Sequence, residues 1–189
     1  MEASQDIFRA YDIRGVYGEE LDAEIGERVG LAFGNYLLKT HKEGKVSIGC
    51  DARVSSPELQ EAVSVGISKA GFDVDVIGMV PIPVANFTTW KASSESDPYI
   101  AGVYITASHN PARYNGIKVK TSDGMSADES VTDQILEVVG RFRDRLDGHS
   151  RSNSTRVILK DFMPSYIQQI ASQVDLELIK NSELSVVVD

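Results

Sequence analysis

Apolar residues recur at regular intervals along the chain, and the interval changes from segment to segment. Between residues 21 and 37 they fall on every fourth position, for example at Leu21, Ile25 and Val29. This spacing places them on one face of an α-helix. Asp22 stands where its carboxylate can cap the first turn of that helix.

Short apolar runs alternate with further helical stretches. The strand-like runs, in chain order, are 7–13, 46–49, 74–77, 99–106 and 117–120. Between and after them the pattern predicts a helix capped by Ser56, a helix over 84–91 and a helix capped by Ser126. Alternating strands and helices favour parallel pairing. We therefore expect an α/β fold: a three-layer α/β/α domain with a mixed, mostly parallel sheet, followed by the start of a second α/β domain.

The end of the chain carries a separate pattern behind a linker-like segment, GHSRSNST, at 148–155. The predicted elements behind it are a strand over 156–160, a helix over 163–174 and an apolar strand over 184–188. A buried parallel strand needs neighbours on both sides, and the sequence supplies none for the last strand. We expect residues 1–150 to form the first domain and 151–189 to begin a second, truncated one.

Three glycines, Gly26, Gly30 and Gly34, form a second line on the first predicted helix. Each glycine in a helix interior costs about 1 kcal/mol relative to alanine. We interpret this line as a surface for close packing against a neighbouring element.

The charge balance narrows the classes of partner. The formal net charge is -9, and Cys50 is the single cysteine. Binders of nucleic acid or anionic membrane present a basic face, so neither partner is expected. No apolar stretch is long enough to cross a bilayer, and the N-terminus lacks the regions of a signal peptide. We expect a cytoplasmic protein in which Cys50 is a buried, inert thiol.

Polar side chains with catalytic chemistry follow three of the predicted strands. The segments are YDIRG with Tyr11 and Arg14, GCDAR with Asp51 and Arg53, and TASHNP with Ser108, His109 and Asn110. Ligands of open α/β sheets bind beyond the carboxyl ends of the strands, so these segments form the expected site. We interpret Asp51 and Arg53 as a structural ion pair that holds its loop. A salt bridge at the sheet edge is the structural alternative for Arg14.

One interpretation makes Ser108 the nucleophile of a serine hydrolase. That role needs a base hydrogen-bonded to the hydroxyl. In an extended chain neighbouring side chains point to opposite faces, so the adjacent His109 is expected to be badly placed. The sequence also lacks a G-x-S-x-G elbow.

A second interpretation makes Ser108 the carrier of a phosphoryl group, which needs donors and cations more than a base of its own. Between Thr106 and Lys120 the chain has three cations, Arg113, Lys118 and Lys120, and no acidic residue. Lys118 could take a proton from a sugar hydroxyl if burial or positive neighbours lower its pKa. The pattern favours this interpretation over the hydrolase, but SHNP is also ordinary turn chemistry, and a lone Ser-His pair is most often part of a loop.

Four motifs in order, FRAYDIRG (8–15), GCDAR, TASHNP and GIK, resemble those of the α-D-phosphohexomutase superfamily, most closely its phosphomannomutase/phosphoglucomutase branch. The resemblance implies reversible transfer of phosphate between the 1- and 6-positions of a hexose, mannose or glucose. Ser108 would carry the phosphate, and a hexose 1,6-bisphosphate would be the intermediate. Lys118 matches the proposed general base. His109 and Arg14 match residues around the phosphoryl group.

The resemblance also implies contacts to substrate and metal. Tyr11 and Asn110 would contact the hexose phosphate. Mg²⁺ would lie between the phosphate on Ser108 and an aspartate-rich loop that members of the family carry in a later domain. Because that loop is missing from residues 1–189, we expect the chain alone to have little mutase activity and to bind Mg²⁺ weakly.

Two alternatives stay open within this resemblance. A phosphoglucosamine mutase would share the same motifs, although the TASHNP form leans slightly away from it. A non-catalytic sugar-phosphate binding module would not need both Ser108 and Lys118.

Overall fold

Helices and strands alternate along the chain, as the pattern predicts. The computed structural model describes residues 7–8, 12–92, 98–141 and 155–188. The elements, in chain order, are β1 (Ile13–Val16), α1 (Ala23–Leu37), β2 (Lys45–Cys50), α2 (Ser56–Lys69), β3 (Asp73–Met79), α3 (Ile82–Ala92), β4 (Tyr99–Ile105), β5 (Tyr114–Thr121), α4 (Glu129–Arg141), β6 (Val157–Leu159), α5 (Met163–Ala171) and α6 (Leu176–Lys180). None of the described helices is both long and apolar enough to span a membrane.

The described strands form one sheet in the order β1-β5-β4-β2-β3-β6. β4, β2, β3 and β6 pair in parallel, whereas β5 runs antiparallel to both of its neighbours. Five of the six strands therefore point the same way. The predicted mixed, mostly parallel sheet is confirmed.

Helices cover both faces of this sheet. α1, α2 and α4 share a large apolar core with one face, which includes Phe33, Leu59 and Ile135. On the opposite face α3 and α5 enclose a smaller cluster around Val84 and Tyr104. The three-layer α/β/α prediction is confirmed, and the rigid sheet between the layers positions the loops at its edge.

Glycines let α1 and α2 approach closely, as the sequence predicts. A Cβ atom at Gly30 would lie 2.2 Å from the carbonyl oxygen of Val63, and one at Gly66 would lie 2.1 Å from that of Glu27. Such separations are far below van der Waals contact. The backbones of the two helices therefore touch at positions that only glycine can occupy.

Both predicted serine caps are wrong. Ser56 lies inside the first turn of α2, and its hydroxyl donates to Asp51 over 2.6 Å. At the start of α4 the backbone N–H of Val131 donates to the Asp128 carboxylate over 3.3 Å, so Asp128 replaces Ser126 as the cap. At α4 the carboxylate is the stronger acceptor, whereas α2 begins at Ser56 and leaves the cap position to Ser55, which makes no side-chain capping bond.

The first predicted strand is shifted along the chain. Of the described residues in the expected range 7–13, only Ile13 lies in a strand, and β1 continues from it to Val16. Ile7 is in a helical turn, and residues 9–11 lie outside the described part.

The last segment differs most from the expectation. β6 joins the sheet beside β3, and α5 follows as predicted but ends at Ala171. The strand expected over 184–188 is wrong, because those residues are exposed and form no regular structure. Instead, the short α6 precedes them, capped by Asp175, which accepts from the N–H of Leu178 over 2.9 Å. The boundary at residue 150 stays a prediction.

Candidate functional site

The topology of the sheet determines where a site can form. From β2 the chain crosses through α2 to β3 on one side, and then through α3 to β4 on the other side of β2. A reversal of this kind opens a crevice between the carboxyl ends of the two diverging strands. The loops after β2 and β4 meet there, joined by a hydrogen bond of 3.0 Å from the N–H of Asp51 to the carbonyl oxygen of Ile105.

Ser108 occupies a tight turn directly after β4. Its φ is 56°, the only positive φ at a non-glycine residue in the described ranges. The N–H of Ser108 donates to the hydroxyl of Thr106 over 2.9 Å, and the N–H of Asn110 donates to the carbonyl of Ala107 over 3.1 Å. A left-handed conformation at such a residue costs about 1–3 kcal/mol and persists only where the surroundings enforce it.

The expectation that His109 points away from Ser108 is wrong. Its Nδ1 lies 3.3 Å from the Ser108 hydroxyl oxygen, because the turn replaces the extended backbone that the expectation assumed. This separation is long for a hydrogen bond that involves a hydroxyl group. No carboxylate among the described residues is hydrogen-bonded to His109. A hydrolase triad would need such a carboxylate to orient the histidine.

A second group of side chains, which includes residues of β1 and β5, borders the turn that carries Ser108. Arg14 on β1 donates to the Asn110 side-chain oxygen over 2.7 Å. Lys118 on β5 donates to an oxygen of Asp12 over 2.8 Å, and Arg14 bonds to the same oxygen. Three of the predicted site residues are thus linked through hydrogen bonds, and the salt bridge considered as an alternative for Arg14 exists alongside that link.

Asp12 is a site residue that sequence reasoning missed. It is 7% exposed. Burial acts to raise the pKa of its carboxyl group, but the hydrogen bonds and charges of Lys118 and Arg14 outweigh burial and leave the pKa below the ordinary value. Side chains two residues apart in a strand share a face. The spacing of Asp12 and Arg14 within YDIRG was therefore a usable signal.

The cations between Thr106 and Lys120 separate into different environments. Lys120 is buried and donates to the Ser126 hydroxyl over 3.1 Å. Burial, followed by the charge of Lys118, lowers the pKa of Lys120. Arg113 is exposed and lies over the ring of Tyr114, 5.4 Å from its centroid. Of these three cations, Lys118 is the one that contacts the Asp12–Arg14 pair.

The ion pair predicted between Asp51 and Arg53 is confirmed, with Nε of Arg53 3.1 Å from the Asp51 carboxylate. Ser56 and Thr106 each donate a hydroxyl to the same carboxylate over 2.6 Å. Burial acts to raise the pKa of Asp51, but these hydrogen bonds and Arg53 together lower it. The preceding Cys50 is buried, and burial followed by the charge of Asp51 raises the pKa of its thiol to about 11. The thiol is therefore protonated and inert, as expected.

Comparison with known proteins decides the family. Residues 5–144 match the family model described as phosphoglucomutase/phosphomannomutase, alpha/beta/alpha domain I. The chain belongs to the phosphoglucomutase/phosphomannomutase family.

Individual members of the phosphoglucomutase/phosphomannomutase family agree with this assignment. A probable phosphoglucosamine mutase from Pyrococcus horikoshii is 44% identical over 138 residues, which are 72% of this chain and 29% of that protein. The phosphomannomutase/phosphoglucomutase of Pseudomonas aeruginosa is 35% identical over 184 residues, 97% of this chain and 36% of that protein. This chain therefore spans well under half the length of these relatives. Both names, phosphoglucosamine mutase and phosphomannomutase/phosphoglucomutase, occur among these relatives.

Solved structures of the family share the fold. A phosphoglucomutase/phosphomannomutase family protein from Burkholderia thailandensis matches with a TM-score of 0.75 and 33% identity, over 92% of this chain and 37% of that one. A putative phosphomannomutase from Thermus thermophilus matches with a TM-score of 0.75 and 25% identity, over 90% of this chain and 36% of that one.

Two of the expected contacts, those of Mg²⁺ and of Tyr11, involve groups outside the described residues. No group of three or more His, Cys, Asp or Glu side chains comes together in the described ranges to hold a metal ion. These residues alone therefore do not fit a Mg²⁺ site, and no step below depends on the metal. Tyr11 lies outside the described part of the chain.

Proposed function

We propose that this chain carries the phosphoserine part of a phosphohexomutase, which interconverts hexose 1-phosphate and hexose 6-phosphate through phosphate held on Ser108. The observation that carries this proposal is the left-handed turn at Ser108, at the carboxyl edge of the sheet. Hydrogen bonds link this turn from Asn110 to Arg14, from Arg14 to Asp12, and from Asp12 to Lys118. A serine presented in this way can be reached by a ligand from solvent, with cations beside it.

The proposed reaction is two phosphoryl transfers in opposite directions. In the first, the bond from phosphorus to the Ser108 oxygen breaks as a bond to a sugar hydroxyl oxygen forms, which gives a hexose 1,6-bisphosphate. In the second, the bond from the other phosphorus to its sugar oxygen breaks as that phosphorus bonds to the Ser108 oxygen. The freed sugar oxygen then takes up the proton that the first hydroxyl lost. Such transfers depend on positioning and charge neutralisation more than on a strong nucleophile.

Lys118 is the proposed general base for the sugar hydroxyl. In the structure its ammonium group donates to Asp12 over 2.8 Å, and an ammonium group has donors only and cannot accept a proton. The role therefore requires that Lys118 lose a proton and leave Asp12 when the sugar phosphate is bound. In the ammonium form Lys118 neutralises charge on the transferred phosphate.

The remaining site residues are proposed to bind the phosphoryl group and the substrate. His109 and Arg14 would contact the phosphate on Ser108, since His109 already approaches the Ser108 hydroxyl and Arg14 reaches the same turn. Asn110 and Tyr11 would contact the hexose phosphate. Mg²⁺ would accompany the Ser108 phosphate, with its other ligands supplied from outside the described residues.

The hexose is proposed to be mannose or glucose. Glucosamine phosphate is the second candidate, because the relative from Pyrococcus horikoshii, at 44% identity, is named a probable phosphoglucosamine mutase. Steady-state rates of the full-length protein with mannose, glucose and glucosamine 1-phosphates would separate these candidates.

The central test is Ser108→Ala in the full-length protein. We expect the mutase rate to fall by more than about 10³-fold, as is usual when an essential nucleophile is removed, and a phosphate mapped to Ser108 by mass spectrometry to disappear. Ser172→Ala, an exposed serine at the end of α5, is the control and should leave both readings unchanged. A mutase rate unaffected by Ser108→Ala would reject the proposal. Labelling of wild-type Ser108 by a fluorophosphonate would favour a hydrolase instead.

A further inference from the structure

The guanidinium group of Arg53, in the loop after β2, is fully used by hydrogen bonds. Its five N–H groups donate to the carbonyl oxygens of Pro111 (2.8 Å), Tyr114 (3.0 Å), Ser108 (2.9 Å) and Asn110 (2.7 Å), and to the Asp51 carboxylate (3.1 Å). Four of the five bonds therefore go to the backbone of the loop that carries Ser108. An ion pair with Asp51 would need only one of them.

These bonds hold the backbone of Ser108 from both sides. Its carbonyl oxygen accepts from Arg53. Its N–H donates to Thr106, whose hydroxyl in turn donates to Asp51. Asp51 accepts from the backbone N–H of Arg53 over 3.0 Å, which closes the network. The left-handed conformation of Ser108 is thus enforced by one connected set of hydrogen bonds.

The chemistry of the set requires arginine. The Arg53 side chain is 12% exposed. Water can therefore replace few of the hydrogen bonds that a substitution of Arg53 would remove. A guanidinium presents five donors in a fixed plane, whereas a lysine ammonium has three donors and no such plane. Lysine at this position would keep the positive charge and lose the simultaneous bonds to four carbonyl groups.

We infer that Arg53 is a positioning residue for phosphoryl transfer at Ser108, an inference that rests on the proposed function. All N–H groups of the Arg53 guanidinium donate to the loop backbone or to Asp51. Arg53 therefore acts on the reaction by fixing the orientation in which the turn presents the Ser108 oxygen. In-line transfer is sensitive to the position of the reacting oxygen, and a displacement of about 1 Å can cost about 10²-fold in rate.

The experiment compares Arg53→Lys with Arg28→Lys in the full-length protein. Arg28, on α1, is a matched control because its side chain is similarly buried, at 16% exposure, and is paired with Glu24. Two quantities are measured: hydrogen exchange of the Ser108 and Asn110 amides, and kcat and KM for hexose 1-phosphate. For Arg53→Lys we expect exchange to rise at least about 10-fold and kcat to fall about 10- to 100-fold, with KM changed less than about threefold. Arg28→Lys should change none of these.

A second variant keeps the test decisive if Arg53→Lys folds poorly. Arg53→Ala removes the group, and millimolar guanidinium, but not methylammonium, is expected to restore part of kcat. Faster amide exchange with an unchanged kcat in the Arg53 variants would overturn the positioning role. Unchanged amide exchange would show that the clamp, by which we mean the hydrogen bonds from Arg53, does not hold the backbone of the Ser108 loop. A wild-type protein that converts no hexose phosphate would reject the proposed function, and the exchange measurement would still decide for or against the clamp.

Discussion

Asp12 combines a buried carboxylate with two cationic partners. Lys118 and Arg14 both bond to one of its oxygens, and their side chains are 18% and 21% exposed. Removal of one member of a buried pair leaves the opposite charge without its partner and costs more than the pair contributes. Asp12 therefore affects both the stability of the fold and the position of Lys118.

Asp12→Asn should lower the free energy of unfolding at pH 7 by about 2 kcal/mol. Because the pKa of Asp12 in the folded chain is below its ordinary value, the carboxylate stabilises the fold above about pH 4, and this contribution is lost as the pH falls through the lowered pKa. The difference between wild type and Asp12→Asn should therefore shrink between pH 7 and pH 3, as measured by urea denaturation. Glu61→Gln, an exposed position on α2, is the control. A constant difference across this range would contradict the assignment.

How much of the site could be predicted from the sequence depended on how far apart the interacting residues lie in the chain. Ser108 and its neighbours stand next to one another in a recognisable motif, so their shared location was predictable. The backbone angle of Ser108 was not, because the hydrogen bond to its carbonyl oxygen comes from Arg53, 55 residues away in the chain. The contact of Asp12 with Lys118, 106 residues away, likewise depends on strand pairing.

At the scale of elements, the contact between α1 and α2 offers a paired test. At Gly30 a Cβ atom would meet the backbone carbonyl of Val63 at 2.2 Å, whereas at Gly26 it would meet the terminal methyl of Leu59 at 2.5 Å. A side-chain end can rotate away, but a helix backbone cannot. The two glycines therefore differ in what alanine would displace.

Gly30→Ala should destabilise the protein by about 2 kcal/mol, because overpacking outweighs the gain of about 1 kcal/mol in helix propensity. Gly26→Ala should be close to neutral, since the same gain offsets a smaller rearrangement. Thermal and urea unfolding of the two variants provide the measurement. Equal losses at both positions would show that the backbone contact does not govern the packing.

A helix or strand could be predicted where the residues of that element are sufficient to specify it. The helix from Ala23 to Leu37 has a long apolar stripe and its own cap, Asp22, so no distant residue was needed to predict it. A strand needs a partner, which its own residues do not specify. The apolar run at 184–188 therefore suggested a strand that the structure does not form. The predicted cap at Ser56 failed because α2 begins at Ser56 itself, and the one at Ser126 failed because the Asp128 carboxylate accepts the capping bond instead.

At the scale of the whole molecule, the segment after residue 154 divides into two parts. β6 extends the sheet, and Phe162 and Tyr166 pack against the cluster formed with α3. Neither α5 nor α6 has a buried residue, but in contrast to α5, α6 contributes no side chain to the apolar clusters, and 181–188 is exposed. The first part is integral to the described fold, although it follows the predicted linker.

A chain that ends at residue 175 should melt within about 2 °C of the 189-residue chain, because little buried surface is lost. A chain that ends at residue 154 should melt more than about 5 °C lower, since it exposes the edge of β3 and the apolar cluster beneath α5. Differential scanning calorimetry of the three chains tests this. Equal melting temperatures for all three would place the whole segment outside the first unit and support the predicted boundary at 150.

Ser108 and Lys118 belong to a single β-hairpin, with Ser108 in the connection that follows β4 and Lys118 on the returning strand β5. Any swing of this unit relative to other parts of the protein would carry the two groups together without altering their spacing. Under the proposed chemistry, the backbone positions of the phosphate carrier and the base are therefore tied together, and within the hairpin only the Lys118 side chain moves, as it leaves Asp12. The step that presents the second phosphate of the sugar to Ser108 is then a reorientation of the sugar itself in front of this hairpin.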